Sequence, residues 1–433
     1  MFKNAILIIT AVMVLSTSGM SQTIPDDPVL NELIQTALEN NPNLKALEAK
    51  AESAEYMISP AGSLPDPMVS IGLSGPIQDS WVSEPMAMPN VTLGISQKFP
   101  FPGKLGAGQK AAEYKSKSEK ETTRTYTYNL ISAVKKTYYD LGYWMSAAQT
   151  VDENLILIGQ LETVARERYK VGKGIQADVL RAQSKQTKLE DRKLMITQMI
   201  GSTISALRQL MGGQNLADPI ADLPEEIMFP ELDRSDLISS VKNNNPIIRK
   251  SEFQIELNNQ LMRKASLGYW PDVTIGATYG IRWENEMLPM FSSDMLTLRA
   301  GFNVPLWALW KQKNIKSAAV AKLKSSEYAK DELFNKLNTA LDKNLLAYER
   351  NKAKYELYRN SLIPQSIATL KSTRAAYEVG NLEFLAVITS QIELFETELE
   401  LRRSLADALI ALSNIETLTA DSKFAQKEMK KNE

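Results

Sequence analysis

The sequence predicts an α+β chain, internally duplicated, in which long helical hairpins carry two pairs of short β-strands. Three observations lead there. First, a tip sequence occurs twice: Tyr169-Lys170-Val171-Gly172-Lys173-Gly174, leading into Asp178, and Tyr377-Glu378-Val379-Gly380-Asn381. Second, each copy interrupts a long run of helical periodicity, and glycine is the residue that lets a helix end in a left-handed cap. Third, stretches of period-two alternation precede each long helix. A chain with two equivalent hairpin tips is a duplicated chain.

The N-terminus reads as a secretory signal peptide over residues 1–21. A short basic start is followed by the apolar run Ala5–Leu15 and by small polar residues. That run is too short to span a bilayer, which takes about 20 residues. No later apolar run has transmembrane-helix length, so the mature chain is soluble or enters a membrane only as strands.

The first repeat covers 22–213. A helix from about Val29 to Ser59 breaks at Asn40-Asn41-Pro42 and ends at Leu64-Pro65-Asp66-Pro67. Val69, Ile71 and Leu73 alternate with small residues, as do Val91, Leu93 and Ile95, giving two strands. Phe99-Pro100-Phe101-Pro102-Gly103-Lys104 is a rigid elbow. A helix from about Leu105 to Tyr169 contains no proline and would be roughly 97 Å long. Val134, Leu141, Ala148 and Leu155 alternate with Thr137, Trp144, Val151 and Ile158 as a coiled-coil seam. Glu162 breaks the seam, and a return helix from about Ala177 to Met211 follows the tip.

A linker is expected over 214–232, and then the pattern restarts over 233–418. Asn244-Asn245-Pro246 repeats the helix break, Pro271-Asp272 repeats Pro65-Asp66, and Val273–Ala277 repeats Val69–Leu73. Leu296, Leu298, Ala300 and Phe302 make the fourth strand, and Val304-Pro305-Leu306-Trp307 repeats the elbow. A long helix interrupted at Pro364, the second tip and a return helix complete the repeat. Residues 419–433 form a Lys-rich tail.

Four strands per chain cannot close a transmembrane barrel, and open sheet edges are not tolerated in lipid. Strands that enter a membrane therefore require an oligomer, and three copies supply twelve.

Composition excludes much chemistry. The chain has no histidine and no cysteine, so Ser-His-Asp triads, thiol nucleophiles and zinc fingers are impossible. Glu225-Glu226 and Asp26-Asp27 lack a companion base and read as solvated. No phosphate loop is present, and a net charge of −1 gives no sign of a nucleic-acid partner. No catalytic residue, metal ligand set or cofactor is expected. Met86, Met88, Met287, Met290 and Met295 carry soft thioethers suited to Cu(I), but methionine beside a loop is more often incidental. Trp81, Trp283 and Tyr279 suit either the aromatic girdle of a barrel or ordinary packing.

The ordered set of elements, with its two Tyr-x-Val-Gly tips, closely resembles the TolC-type outer-membrane efflux family from about Val29 to Leu418. The elbow Gln97–Leu105 is most similar to the metal-efflux branch. The resemblance implies a homotrimer with a 12-stranded β-barrel in outer-membrane lipid and an α-helical barrel in the periplasm. It also implies a periplasmic adaptor docked on the tips and an inner-membrane pump of the RND type. On that basis the docking residues are Tyr169, Val171, Gly172, Lys173, Asp178, Tyr377, Val379, Gly380 and Asn381. The family's Val-Gly-Leu turn has Lys173 and Asn381 at its third position here. The paired acids that ring the entrance in the best-known member fall at Ala386 and Thr389. Any constriction is therefore expected to be mainly hydrophobic, formed among Leu382, Glu383, Phe384 and Leu385. The expected function is passive conduction. The alternative is a secreted periplasmic coiled-coil scaffold or adhesion protein without a pore.

Overall fold

The computed structural model describes residues 27–74, 90–214, 221–224, 227–282 and 293–421. The expected signal peptide lies outside them, as do Met86, Met88, Met287, Met290, Trp81, Trp283 and most of the tail. The chain folds as two compact units. One takes 1–41, 127–241 and 338–433, and the other 42–126 and 242–337. Each draws on both sequence repeats.

The second of these units carries the sheet. Helices α2 (Pro42–Tyr56) and α3 (Ile58–Gly62) precede β1 (Met68–Ser74) and β2 (Asn90–Phe99). Helix α4 (Lys104–Lys170) starts in this unit and finishes in the other. In the second repeat, α7 (Pro246–Ser266) leads through a 3-10 turn to β3 (Val273–Arg282) and β4 (Met295–Phe302). A π-helical turn at Ala308–Gln312 then opens α8 (Lys313–Leu357).

The strands form one antiparallel sheet in the order β1-β2-β3-β4, so β1 and β4 are its edges. The register gives the two faces opposite character. Ile71 pairs with Leu93, Leu93 with Tyr279 and Tyr279 with Leu296. Val69, Ile95, Ala277 and Leu298 form the next row on that face. The other face shows Ser70, Gly94, Thr278 and Thr297, then Met68, Ser96, Gly276 and Arg299. Side chains alternate along a strand, so one residue of slip would exchange the faces. The large side chains of the apolar face, among them Ile71, Leu73, Leu296 and Leu298, are exposed in the single chain.

A salt-bridged elbow closes the base of the sheet. Asp272, just ahead of β3, receives Phe101 N–H at 2.9 Å and Lys104 Nζ at 2.6 Å on Oδ1, with Lys98 Nζ 3.1 Å from Oδ2. Its own N–H donates to Asn303 Oδ1. Phe101 stacks on Trp270 with ring centroids 5.2 Å apart. One carboxylate thus ties the first elbow to the start of the third strand and the end of the fourth.

The other unit holds α1 (Pro28–Asn40), the tip half of α4, α5 (Gln176–Leu210), most of α6 (Arg234–Asn244), the later part of α8, α9 (Ile363–Glu378) and α10 (Phe384–Thr419). Asp27 caps α1 by accepting from Val29 N–H and Leu30 N–H, and Tyr138 Oη donates to it at 2.5 Å. Its expectation as a merely solvated acid is corrected: it is a capping group with a partner on α4. The expected linker is also more ordered than its composition implies. Leu223 is buried against Gly142, and Tyr348 Oη donates to Pro230 O at 2.7 Å. The break at Pro364 is a π-helical turn over Tyr358–Leu362, after which proline occupies the first turn of α9, where its missing N–H is tolerated. The coiled-coil seam is present, with Val134, Leu141, Val151 and Ile158 buried.

Asp272 yields a pH prediction. Burial opposes its ionisation, but the Lys104 ammonium, the Phe101 N–H and Lys98 outweigh that and hold the carboxyl at about 2. A folded-state value below the unfolded one stabilises above the ordinary carboxylate range, and that contribution fades as pH falls toward 2. Asp272→Asn should therefore lower the melting temperature in detergent at pH 7 by a few degrees, with a gap to wild type that narrows between pH 5 and pH 2. An unchanged melting temperature at pH 7 counts against the elbow as a tie.

Candidate functional site

The tips are built from the backbone outward. At the first, α4 stops at Lys170, and Gly172 adopts φ 71°. Gly172 N–H donates to Tyr169 O and Lys173 N–H to Arg168 O. At the second, α9 stops at Glu378, Gly380 adopts φ 82°, Gly380 N–H donates to Tyr377 O and Asn381 N–H to Ala376 O. The same paired bonds, the Schellman motif, close both helices. A Cβ at either glycine would meet no atom within 4 Å. Glycine is required there by the backbone angle alone, at about 1–2 kcal/mol for another residue.

The hairpins are packed by a cluster of Ile158, Leu161, Ala165, Ala182, Tyr377, Phe384, Val387 and Ile388. Tyr377 and Phe384 sit with ring centroids 5.5 Å apart. Arg168 lays its guanidinium over the Tyr377 ring, 4.2 Å from the centroid, and donates to Glu378 O at 3.0 Å. The first tip thus covers the aromatic core of the second and satisfies one of its orphan carbonyls. Glu162, which breaks the seam, is nearly buried and accepts from Arg166 and Gln183. The Arg166 hydrogen bond leads in lowering its pKa, against the effect of burial.

The expected docking residues divide into two groups. Tyr169, Val171, Lys173, Val379, Gly380 and Asn381 are exposed, and Gly172 lies at the turn itself. Tyr377 is only 6% exposed and is corrected to a packing residue. Asp178 sits in the first turn of α5, where an acid suits the helix dipole, with Arg181 Nη1 at 3.3 Å. Of the expected constriction residues, Phe384 is 1% exposed and is likewise corrected: it fills the core under Tyr377. Leu382 and Leu385 are 40% and 46% exposed, and Glu383 between them is exposed. Arg168 was missed by sequence reading, although an arginine one residue before the repeated Tyr in only one tip was a visible asymmetry.

Among the described residues no group of three or more His, Cys, Asp or Glu is placed to hold a metal ion. Among the same residues no helix is long and apolar enough to cross a membrane.

The outer membrane efflux protein family matches residues 33–213, which make up most of the first repeat. Over those residues the chain is similar to that family. It is 24% identical over 405 residues to the toluene efflux pump outer membrane protein TtgF of Pseudomonas putida, covering 90% of this chain and 82% of that one. It is 20% identical over 395 residues to the cobalt-zinc-cadmium resistance protein CzcC of Cupriavidus metallidurans, covering 90% and 89%. Its fold matches the outer-membrane channel OprN with TM-score 0.80 at 15% identity, over 92% of this chain and 91% of that chain. The duplicated α+β fold expected from sequence is that of these channels.

Removing the guanidinium should loosen the tips without disturbing the sheet. Arg168→Ala is expected to speed hydrogen exchange at residues 376–385 several-fold while exchange in β1–β4 stays at wild-type values. Unchanged exchange at the second tip contradicts the role given to Arg168.

Proposed function

We propose that the chain is the outer-membrane duct of a tripartite efflux system, conducting solute passively from the periplasm and performing no catalytic step. The observation that carries this is the sheet: one face apolar and exposed, the other mostly small and polar, with a half-paired strand at each edge. In lipid every backbone N–H and C=O needs a partner, and only closure removes the edges. Three copies give twelve strands, with the apolar face to lipid and the polar face to a water-filled lumen. A secreted scaffold would leave that apolar face in water.

The exposed tips are the surface on which a periplasmic adaptor docks, linking the duct to an inner-membrane pump of the RND type. Both carry valine and glycine at the turn, and Lys173 and Asn381 add a cation and an amide where the family has leucine. The entrance is narrowed by Leu382 and Leu385, which are exposed at the start of α10, and gates by dewetting. Family members serve toluene and cobalt-zinc-cadmium systems by name, and a passive duct accommodates either class.

Protein extracted from outer-membrane fractions should measure as three chains by native mass. A stable monomer retaining the full β content contradicts the proposal. At the entrance, Leu382→Ser or Leu385→Ser should raise single-channel conductance with little change in its salt dependence. Phe384→Ser should instead destabilise the tip by about 3 kcal/mol, in the range of core truncations. If both leucine variants conduct like wild type and divalent cations block strongly, the constriction is acidic and Glu383 carries it.

A further inference from the structure

The four strands contain three ionisable side chains that carry charge at neutral pH, Lys98, Arg282 and Arg299, and no acid. All three share the face of Thr278, Gly94 and Thr297, because each lies an even number of residues from one of them along its strand. Lys98 and Arg282 lie at the two ends of the sheet, and Lys98 is charge-paired. Lys98 pairs with Asp272 at 3.1 Å. Arg282 lies at the far end of β3, where its Nη2 is 3.6 Å from Met295 Sδ and its N–H donates to Asp294. Arg299 differs. It is exposed, and its side chain makes no hydrogen bond or ion pair with another described residue. Its row across the sheet is Gly276, Ser96 and, on the opposite edge strand, Met68, and Gly301 and Thr297 flank it on its own strand. None of its immediate neighbours Gly276, Gly301 and Thr297 is large enough to cover a guanidinium. The nearest acids in sequence to β3 and β4 are already committed: Asp272 to two lysines, and Asp294 to Tyr279 Oη and Arg282 N–H.

We propose that Arg299 sets the ion preference of the duct: one from each of three copies, the arginines form a cationic ring in the barrel lumen that favours anionic over cationic solutes. This rests on the duct reading, which places the polar face around the lumen. Every solute that leaves through the barrel passes the ring. A charge in a water-filled passage acts over about 10 Å at 0.1 M salt. The preference is therefore strong at low ionic strength and weak at high.

The absence of native cysteine allows a direct test in intact cells or proteoliposomes. Thr297→Cys places a thiol on the Arg299 face, two residues away along the same strand. Its modification rates by the anionic sulfonatoethyl and the cationic trimethylammonioethyl methanethiosulfonate are compared with Arg299 present and in the Arg299→Ser background. Leu298→Cys, on the apolar face, serves as the control. The anion-to-cation rate ratio should fall about fivefold on removing Arg299 at low ionic strength, and the difference should shrink at high salt. An unchanged ratio, with Thr297→Cys reactive, overturns the proposal and leaves the duct reading standing. Thr297→Cys inert while Leu298→Cys reacts overturns the duct reading itself, since the polar face is then not the wet one.

Discussion

Backbone hydrogen bonding in lipid is the constraint on which this molecule depends. A four-stranded sheet with two open edges satisfies its interior strands and leaves β1 and β4 each half paired. In water those edges would be solvated. In a bilayer they cannot be, and closure with identical copies is the route that meets both edges at once. The side-chain pattern agrees with the backbone requirement: the apolar rows have a purpose only if lipid covers them, and the small polar rows only if water does.

The helical unit answers a different requirement, namely ending two long hairpins in exposed turns that hold their shape. The same backbone motif closes both tips, but the side chains that support them have diverged. The second tip has the aromatic pair Tyr377 and Phe384 in its core, and the first supplies Arg168 to cover it. Duplication kept the turn and reassigned the packing, so the two tips present different surfaces.

Much of this was legible in the sequence. Period-two alternation located all four strands, and repeated Val-Gly turns located both tips, because each pattern follows from local backbone geometry. What escaped were residues whose role depends on a neighbour far along the chain. Asp272 read as a repeat of Asp66, yet it gathers Lys98, Phe101 N–H and Lys104 from the first repeat. Asp27 read as solvated, yet Tyr138 donates to it. Phe384 and Leu385 are adjacent, large and apolar, and composition alone does not separate the one that faces the cluster from the one that does not. Helical phase at the start of α10 does separate them: Phe384, Val387 and Ile388 share a stripe that Leu385 leaves.

The central claim is that β1 and β4 are not edges in the assembled protein. Amide hydrogen exchange on protein in outer-membrane vesicles tests it most directly. Closure predicts that residues 68–74 and 295–302 are protected as strongly as 90–99 and 273–282. Rapid exchange confined to alternate amides of β1 and β4, with the two central strands protected, would contradict it.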